Sequence, residues 1–135
     1  LKYAKLNGLK VISGGFYHSW CDYNINIDPF ELLGLFKNAK YVITDTFHGT
    51  ILSLINKTNV LVKIRNNSNK LRFLLEQYAL GNRITVDFTD ISNILSNQIN
   101  YDEIDLKLKT NVFESYEYLN EALSILGAKK YEKNN

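Results

Sequence analysis

Methionine is absent from the chain, and proline, cysteine and tryptophan each occur once in 135 residues. With Cys21 as the sole cysteine no disulfide can close within the chain, and a reducing, cytoplasmic setting is expected. Charge of one sign is also missing: 16 basic and 14 acidic side chains are spread along the chain for a net +2. No block of like charge offers a nucleic-acid or membrane patch. No apolar run approaches the roughly 20 residues of a membrane span, and the N-terminus lacks a signal-peptide layout. There is no internal repeat, low-complexity tract or linker. What is present is a composition 45% hydrophobic and 13% aromatic, enough for a real core. The start at Leu1 and the lack of methionine point to an excised piece of a longer protein, with an N-terminal domain missing. One domain over residues 1–126 and a polar tail over 127–135 are expected.

The order of elements is alternating. Residues 9–13 form a short apolar strand, and 14–26 a polar, aromatic loop without a period. Residues 28–39 make a helix: Asp28 is the N-cap, Pro29 takes the first helical position and Glu31 completes a capping box. Its apolar stripe is Leu32, Leu33, Phe36 and Ala39. A strand at 41–44 leads into a helix at 49–56 that is apolar on nearly every side. A β-branched strand follows at 59–64, then an amphipathic helix at 68–80 with Gly81 placed to stop it. A strand at 83–88, a short helix capped by Asp90 and a long helix at 101–126 complete the chain. The long helix repeats Leu108, Val112, Tyr116, Leu119, Leu123 and Leu126 at spacings of three and four. Apolar strands alternating with helices over short links predict an α/β fold, a three-layer, doubly wound parallel sheet of Rossmann-like type.

In such sheets ligands lie beyond the carboxyl ends of the strands, at the N-termini of the following helices. The segment Thr-Asp-Thr-Phe-His-Gly-Thr, residues 44–50, falls at that edge. With Thr46 as cap, the amides of His48, Gly49 and Thr50 lie in the first helical turn, where unpaired N–H groups carry partial positive charge. Gly49 would let a ligand approach the backbone, and the turn suits a phosphate or carboxylate. His48 adds a side chain that exchanges a proton near neutral pH. A histidine at a helix start also caps or packs, and the glycine also relieves crowding between helix and strand; both alternatives stand. Lys63 and Arg65 end one strand, and Lys70 and Arg72 open the next helix, on the same edge. They either grip an anion or form a solvated face with local salt bridges.

Tyr17, His18, Trp20 and Tyr23 lie in the loop 14–26 and either stack on sugar rings or pack on their own or a missing domain. His18 and Cys21 do not make a metal site, since two further ligands are absent, and nothing places a base beside Cys21. No metal ligand set is visible.

Residues 27–62, "NIDPFELLGLFKNAKYVITDTFHGTILSLINKTNVLV" with the residue before them, together with "NKLRFLLEQYALGNRI", resemble the C-terminal part of the polysaccharide pyruvyl transferases. That family shows a capped helix ending in "NA", an apolar strand, "TDSFHG", a buried helix, a strand, and a basic-start helix with "LL". The similarity covers about residues 27–126. Thr46 stands in place of the family's Ser and Lys70 in place of its Arg, with Arg72 two positions later. The resemblance implies the C-terminal half of a B-type glycosyltransferase-like fold. It implies transfer of pyruvate from phosphoenolpyruvate, as co-substrate and without a cofactor, to two hydroxyls of a cell-surface polysaccharide sugar or lipid-linked glycan. His48 would then move the proton, and Thr46, Gly49, Thr50, Lys70 and Arg72 would hold the anion. The isolated domain would turn over weakly or not at all. The alternatives are the donor domain of a nucleotide-sugar-dependent B-type glycosyltransferase and a non-catalytic binding domain.

Overall fold

The structure, a computed structural model, describes residues 1–65 and 68–125. The chain divides into two compact units, Leu1–Ile99 and a second beginning at Asn100. A single unit over 1–126 was the expectation; the division falls ahead of the long helix. The tail over 127–135, and Leu126, lie outside the described residues.

In the first unit the order is α1 (Lys2–Leu6), β1 (Ile12–Gly14), β2 (Tyr23–Ile25), α2 (Pro29–Asn38), β3 (Tyr41–Thr44), α3 (Phe47–Ile55) and β4 (Asn59–Lys63). Then come α4 (Asn69–Gln77), a 3-10 turn over Gly81–Arg83, β5 (Ile84–Thr85) and α5 (Ile91–Ser96). The second unit holds α6 (Tyr101–Ile125). Of its predicted stripe, Val112, Tyr116 and Leu119 are exposed.

The strands are parallel, but they form two small sheets rather than one. β1 pairs with β2, Ile12 opposite Tyr23; β3, β4 and β5 form a second sheet in consecutive order, Tyr41 opposite Asn59 and Val62 opposite Ile84. Double winding needs a reversal of strand order, and the three-stranded sheet has none. The fold is thus α/β with parallel strands, compatible with a Rossmann-like layering, and the expectation of a single doubly wound sheet is corrected. The reason lies at β2. Tyr23-Asn24-Ile25 sits inside the supposed loop, is exposed throughout, and reaches β1 through the short link 15–22 instead of a helix. Tyr and Ile favour strands, but three residues are too short a run to mark one.

The core centres on β4. Val60, Leu61 and Val62 are all fully buried. Alternate residues of a strand face opposite ways, so β4 is covered on both faces, as its unbroken apolar run demands. Leu61 joins Ile94 and Leu95 of α5, with Tyr3, Tyr41, Phe88 and Ile91 around them. Leu71, Leu74 and Leu75 of α4 are buried as well.

Two terminations differ from expectation. α4 ends through Ala79, at φ 55°, with Leu80 N–H donating to Leu75 O at 2.7 Å. That is a left-handed stop two residues before Gly81, closed by the 6→1 bond of a Schellman motif. The strand expected at 83–88 shrinks to Ile84–Thr85 because side chains compete for its backbone. Thr85 Oγ1 accepts Phe88 N–H at 3.0 Å, and Asp87 Oδ1 accepts Thr89 N–H at 3.0 Å. These local bonds replace ladder bonds, and the Thr89 N–H and hydroxyl hold the Asp87 carboxyl below its usual range.

Helix α2 follows the sequence closely. Asp28 Oδ1 accepts the N–H groups of Phe30 and Glu31, both at 2.8 Å, and Glu31 Oε2 accepts Asp28 N–H at 3.0 Å. The reciprocal box fixes where α2 starts, and thereby where β3 begins and where its carboxyl end presents the motif.

Candidate functional site

β3 ends at Thr44, and the chain turns through Asp45 and Thr46 into α3. Thr46 is the N-cap, with extended backbone at φ −114°, ψ 150°, and its Oγ1 accepts Gly49 N–H at 3.0 Å. A second hydroxyl braces the first: Thr44 Oγ1 lies 3.0 Å from Thr46 Oγ1 and accepts Thr46 N–H at 3.2 Å. Three residues of the motif therefore make the turn itself.

Gly49 is buried in this turn. A Cβ there would stand 2.8 Å from Thr46 Oγ1 and 3.0 Å from Thr44 Cβ, and would meet Thr44 Oγ1 more closely still. The crowding alternative is what the geometry shows: helix and strand end approach so tightly that only glycine fits. Gly49→Ala is expected to destabilise the protein by about 1–3 kcal/mol, read as a shift in urea midpoint at unchanged slope. A neutral or stabilising result would mean that the turn relaxes freely.

Thr50 is fully buried, its amide donates to Thr46 O at 3.1 Å and its hydroxyl to the same oxygen at 2.9 Å. The amides of Gly49 and Thr50, expected to meet an anion, are thus both engaged within the turn. Among the described residues the first-turn amides without a partner are those of Phe47 and His48. His48 itself is exposed, and its ring meets only the edge of Phe47, centroids 6.0 Å apart at 86°.

In a parallel sheet the carboxyl ends of neighbouring strands share one edge. β4 ends beside β3, and α4 starts just beyond it. Of the four cations there, two are committed. Arg65 pairs with Asp45 across the strand ends, and Lys63 Nζ sits 5.1 Å from the centre of the Phe88 ring. Lys70 and Arg72 are exposed in the first turns of α4 and have no ion-pair partner among the described residues. That turn contains no acidic residue. Cations are disfavoured at a helix N-terminus by roughly 0.3–1 kcal/mol each, so the fold gains nothing locally from their placement. The Asp45–Arg65 pair was not singled out from sequence, although both residues follow adjacent parallel strands and their separation is set by that pairing.

Elsewhere, burial pushes the Cys21 thiol up, with a further push from Asp22. It is held protonated and is a poor nucleophile at neutral pH. Among the described residues no three histidine, cysteine or carboxylate groups cluster as a metal site, and no helix is long and apolar enough to cross a membrane.

The class defined by these features is a parallel α/β protein with an exposed first-turn histidine and uncommitted cations along one strand edge. Residues 3–67, which run from α1 past the end of β4 and include the whole β3–α3 turn, match the family model for polysaccharide pyruvyl transferase. The match supports the family to which the motif points; its description implies a transferase with a sugar or glycan acceptor. No curated protein and no solved structure gives a significant match to the chain.

Proposed function

We propose that the chain contributes to transfer of a pyruvyl group from phosphoenolpyruvate to two hydroxyls of one sugar in a cell-surface polysaccharide or its lipid-linked precursor. The observation that carries this is the family match over residues 3–67, which contains the entire His48 turn. In the reaction a proton reaches the methylene carbon of the enolpyruvyl group, and one sugar hydroxyl adds at the central carbon. Phosphate leaves, and the second hydroxyl closes the ketal, so that one phosphate is released per pyruvyl group transferred.

Each demand has a group at the strand edge. His48, exposed and with no side-chain hydrogen bond among the described residues, is the proton-transfer residue. The Phe47 and His48 amides, in place of those of Gly49 and Thr50, meet the phosphate or carboxylate. Lys70 and Arg72 supply the charge that their own helix does not need. Thr46 acts indirectly, by fixing the turn. The reading extends to a B-type glycosyltransferase-like arrangement, with this chain as the C-terminal half, and to a cytoplasmic setting that keeps Cys21 reduced.

The test is to supply phosphoenolpyruvate and a glycan acceptor to the full-length protein. Expected are phosphate release equal to phosphoenolpyruvate consumed and a ketal methyl signal on the product. Consumption of a nucleotide sugar instead would replace this function with the glycosyltransferase one. In a titration followed by NMR, the Phe47 and His48 amides should shift saturably with phosphoenolpyruvate.

A further inference from the structure

Asp45 works against the anion that the His48 turn is built to hold. It is the single acidic residue between Glu31 and Glu76, a segment that carries five lysines and two arginines. Yet it stands directly before the N-cap of α3, three residues from His48. Three virtual bonds keep the two Cα atoms within roughly 11 Å of each other, about one Debye length at physiological salt. The Asp45 side chain is only 28% exposed, so water screens its charge incompletely. A bare carboxylate there repels any phosphate or carboxylate at the Phe47 and His48 amides.

Arg65 answers that charge. Its Nη2 pairs with Asp45 Oδ2 across the ends of β4 and β3, which the strand register, Thr44 opposite Val62, brings together. Arg65 N–H also donates to Ser68 Oγ at 3.1 Å, which holds its backbone. Stability does not account for the pair. The Arg65 side chain is 74% exposed, and ion pairs so exposed contribute little to folding. Direct contact between Arg65 and the ligand would be a different use. The incoming anion would then have to displace a carboxylate already tethered at the site, and would leave it bare beside itself. Lys70 and Arg72, exposed on the same edge and without an ion-pair partner among the described residues, offer a cation without that cost.

We propose that Arg65 is a positioning residue that acts through Asp45: it neutralises and holds the one carboxylate at this strand edge, so that the His48 turn accepts an anion. This role rests on the transferase function for its anion, phosphoenolpyruvate, and adds what makes the turn permissive to it.

The full-length protein is titrated calorimetrically with phosphoenolpyruvate and with inorganic phosphate, in the absence of acceptor. Arg65→Met should weaken binding of both about tenfold. Asp45→Asn should weaken neither, and the double variant Asp45→Asn/Arg65→Met should return to within about threefold of the unaltered protein, the non-additivity of a coupled pair. Arg65→Lys keeps the charge and should keep most of the affinity. Circular dichroism confirms that each variant is folded; should Arg65→Met fail to fold, Asp45→Asn alone decides, with unchanged or tighter binding in support and weaker binding against. A double variant as weak as Arg65→Met overturns the role, because Arg65 would then touch the anion itself. So does an Arg65→Met protein that binds both anions as tightly as the unaltered one, or an unaltered protein that binds neither. Phosphate binding in the expected pattern, without phosphoenolpyruvate consumption once acceptor is added, would remove the transferase chemistry and keep the role of Arg65. Phosphoenolpyruvate turnover whose KM ignores Arg65→Met would overturn that role and keep the chemistry.

Discussion

His48→Ala is expected to lower phosphoenolpyruvate consumption by the full-length protein by about 10²–10⁴-fold, the usual contribution of a positioned acid or base. The loss should fall on kcat more than on KM, because a proton-transfer group acts in the transition state whereas the anion is held by other donors. The variant should fold normally. His48 is exposed, and its ring touches only the Phe47 edge. Surface substitutions of that kind stay within about 0.5 kcal/mol. Phosphate release and a thermal melt on the same preparation separate the outcomes. Activity lost together with several degrees of melting temperature would make His48 a structural cap. Activity retained would remove it from the chemistry altogether. Lys70→Ala and Arg72→Ala provide the contrast, since loss of a binding cation should raise KM for phosphoenolpyruvate.

How far this site could be read from sequence depends on which forces fix each part. Local hydrogen-bond chemistry was legible: the Asp28–Glu31 box and the Thr46 cap follow from residue types at fixed offsets, and both are observed. Burial of β4 was legible for a different reason, since an unbroken run of Val60, Leu61 and Val62 needs cover on both faces. What could not be read are features set by competition or by long-range pairing. β2 is fixed by its pairing with β1, since Tyr-Asn-Ile is too short a run to mark a strand by itself. β5 is cut short because Thr85 and Asp87 offer their backbone closer partners than the sheet does. Gly49 was read either as an opening for a ligand or as relief of crowding between helix and strand, and the Thr44 and Thr46 atoms around it show the crowding. Asp45 and Arg65 stand twenty residues apart in sequence, and only the β3–β4 register makes them neighbours.

Arg83 is the largest such omission, and its replacement should have the largest effect on stability. It opens a predicted strand and carries a charge, so composition places it at the surface; in the structure it is 1% exposed. The cause is the end of α5. The last carbonyls of a helix lack intrahelical partners and carry partial negative charge. Arg83 Nη1 donates to Ile94 O at 2.6 Å and to Asn59 Oδ1 at 2.9 Å, and Nη2 donates to Asn97 O at 2.7 Å. Asn59 Nδ2 adds a bond to Leu95 O at 3.1 Å. One guanidinium and one amide thus close the end of α5 and tie it to the first residue of β4. Arg83→Met preserves much of the aliphatic volume but leaves acceptors without their donor, at roughly 1–3 kcal/mol for each that stays dry. Removing the charge also removes its own desolvation cost, which offsets part of that loss. The net expectation is about 3 kcal/mol, a more than hundredfold fall in the folded-to-unfolded ratio, measured by urea unfolding. Arg83→Lys should fall between, because an ammonium keeps the charge and loses the planar fork that reaches two carbonyls at once. A change below about 0.5 kcal/mol for Arg83→Met would show that water takes over those carbonyls, and that the buried guanidinium does not hold α5 to the sheet.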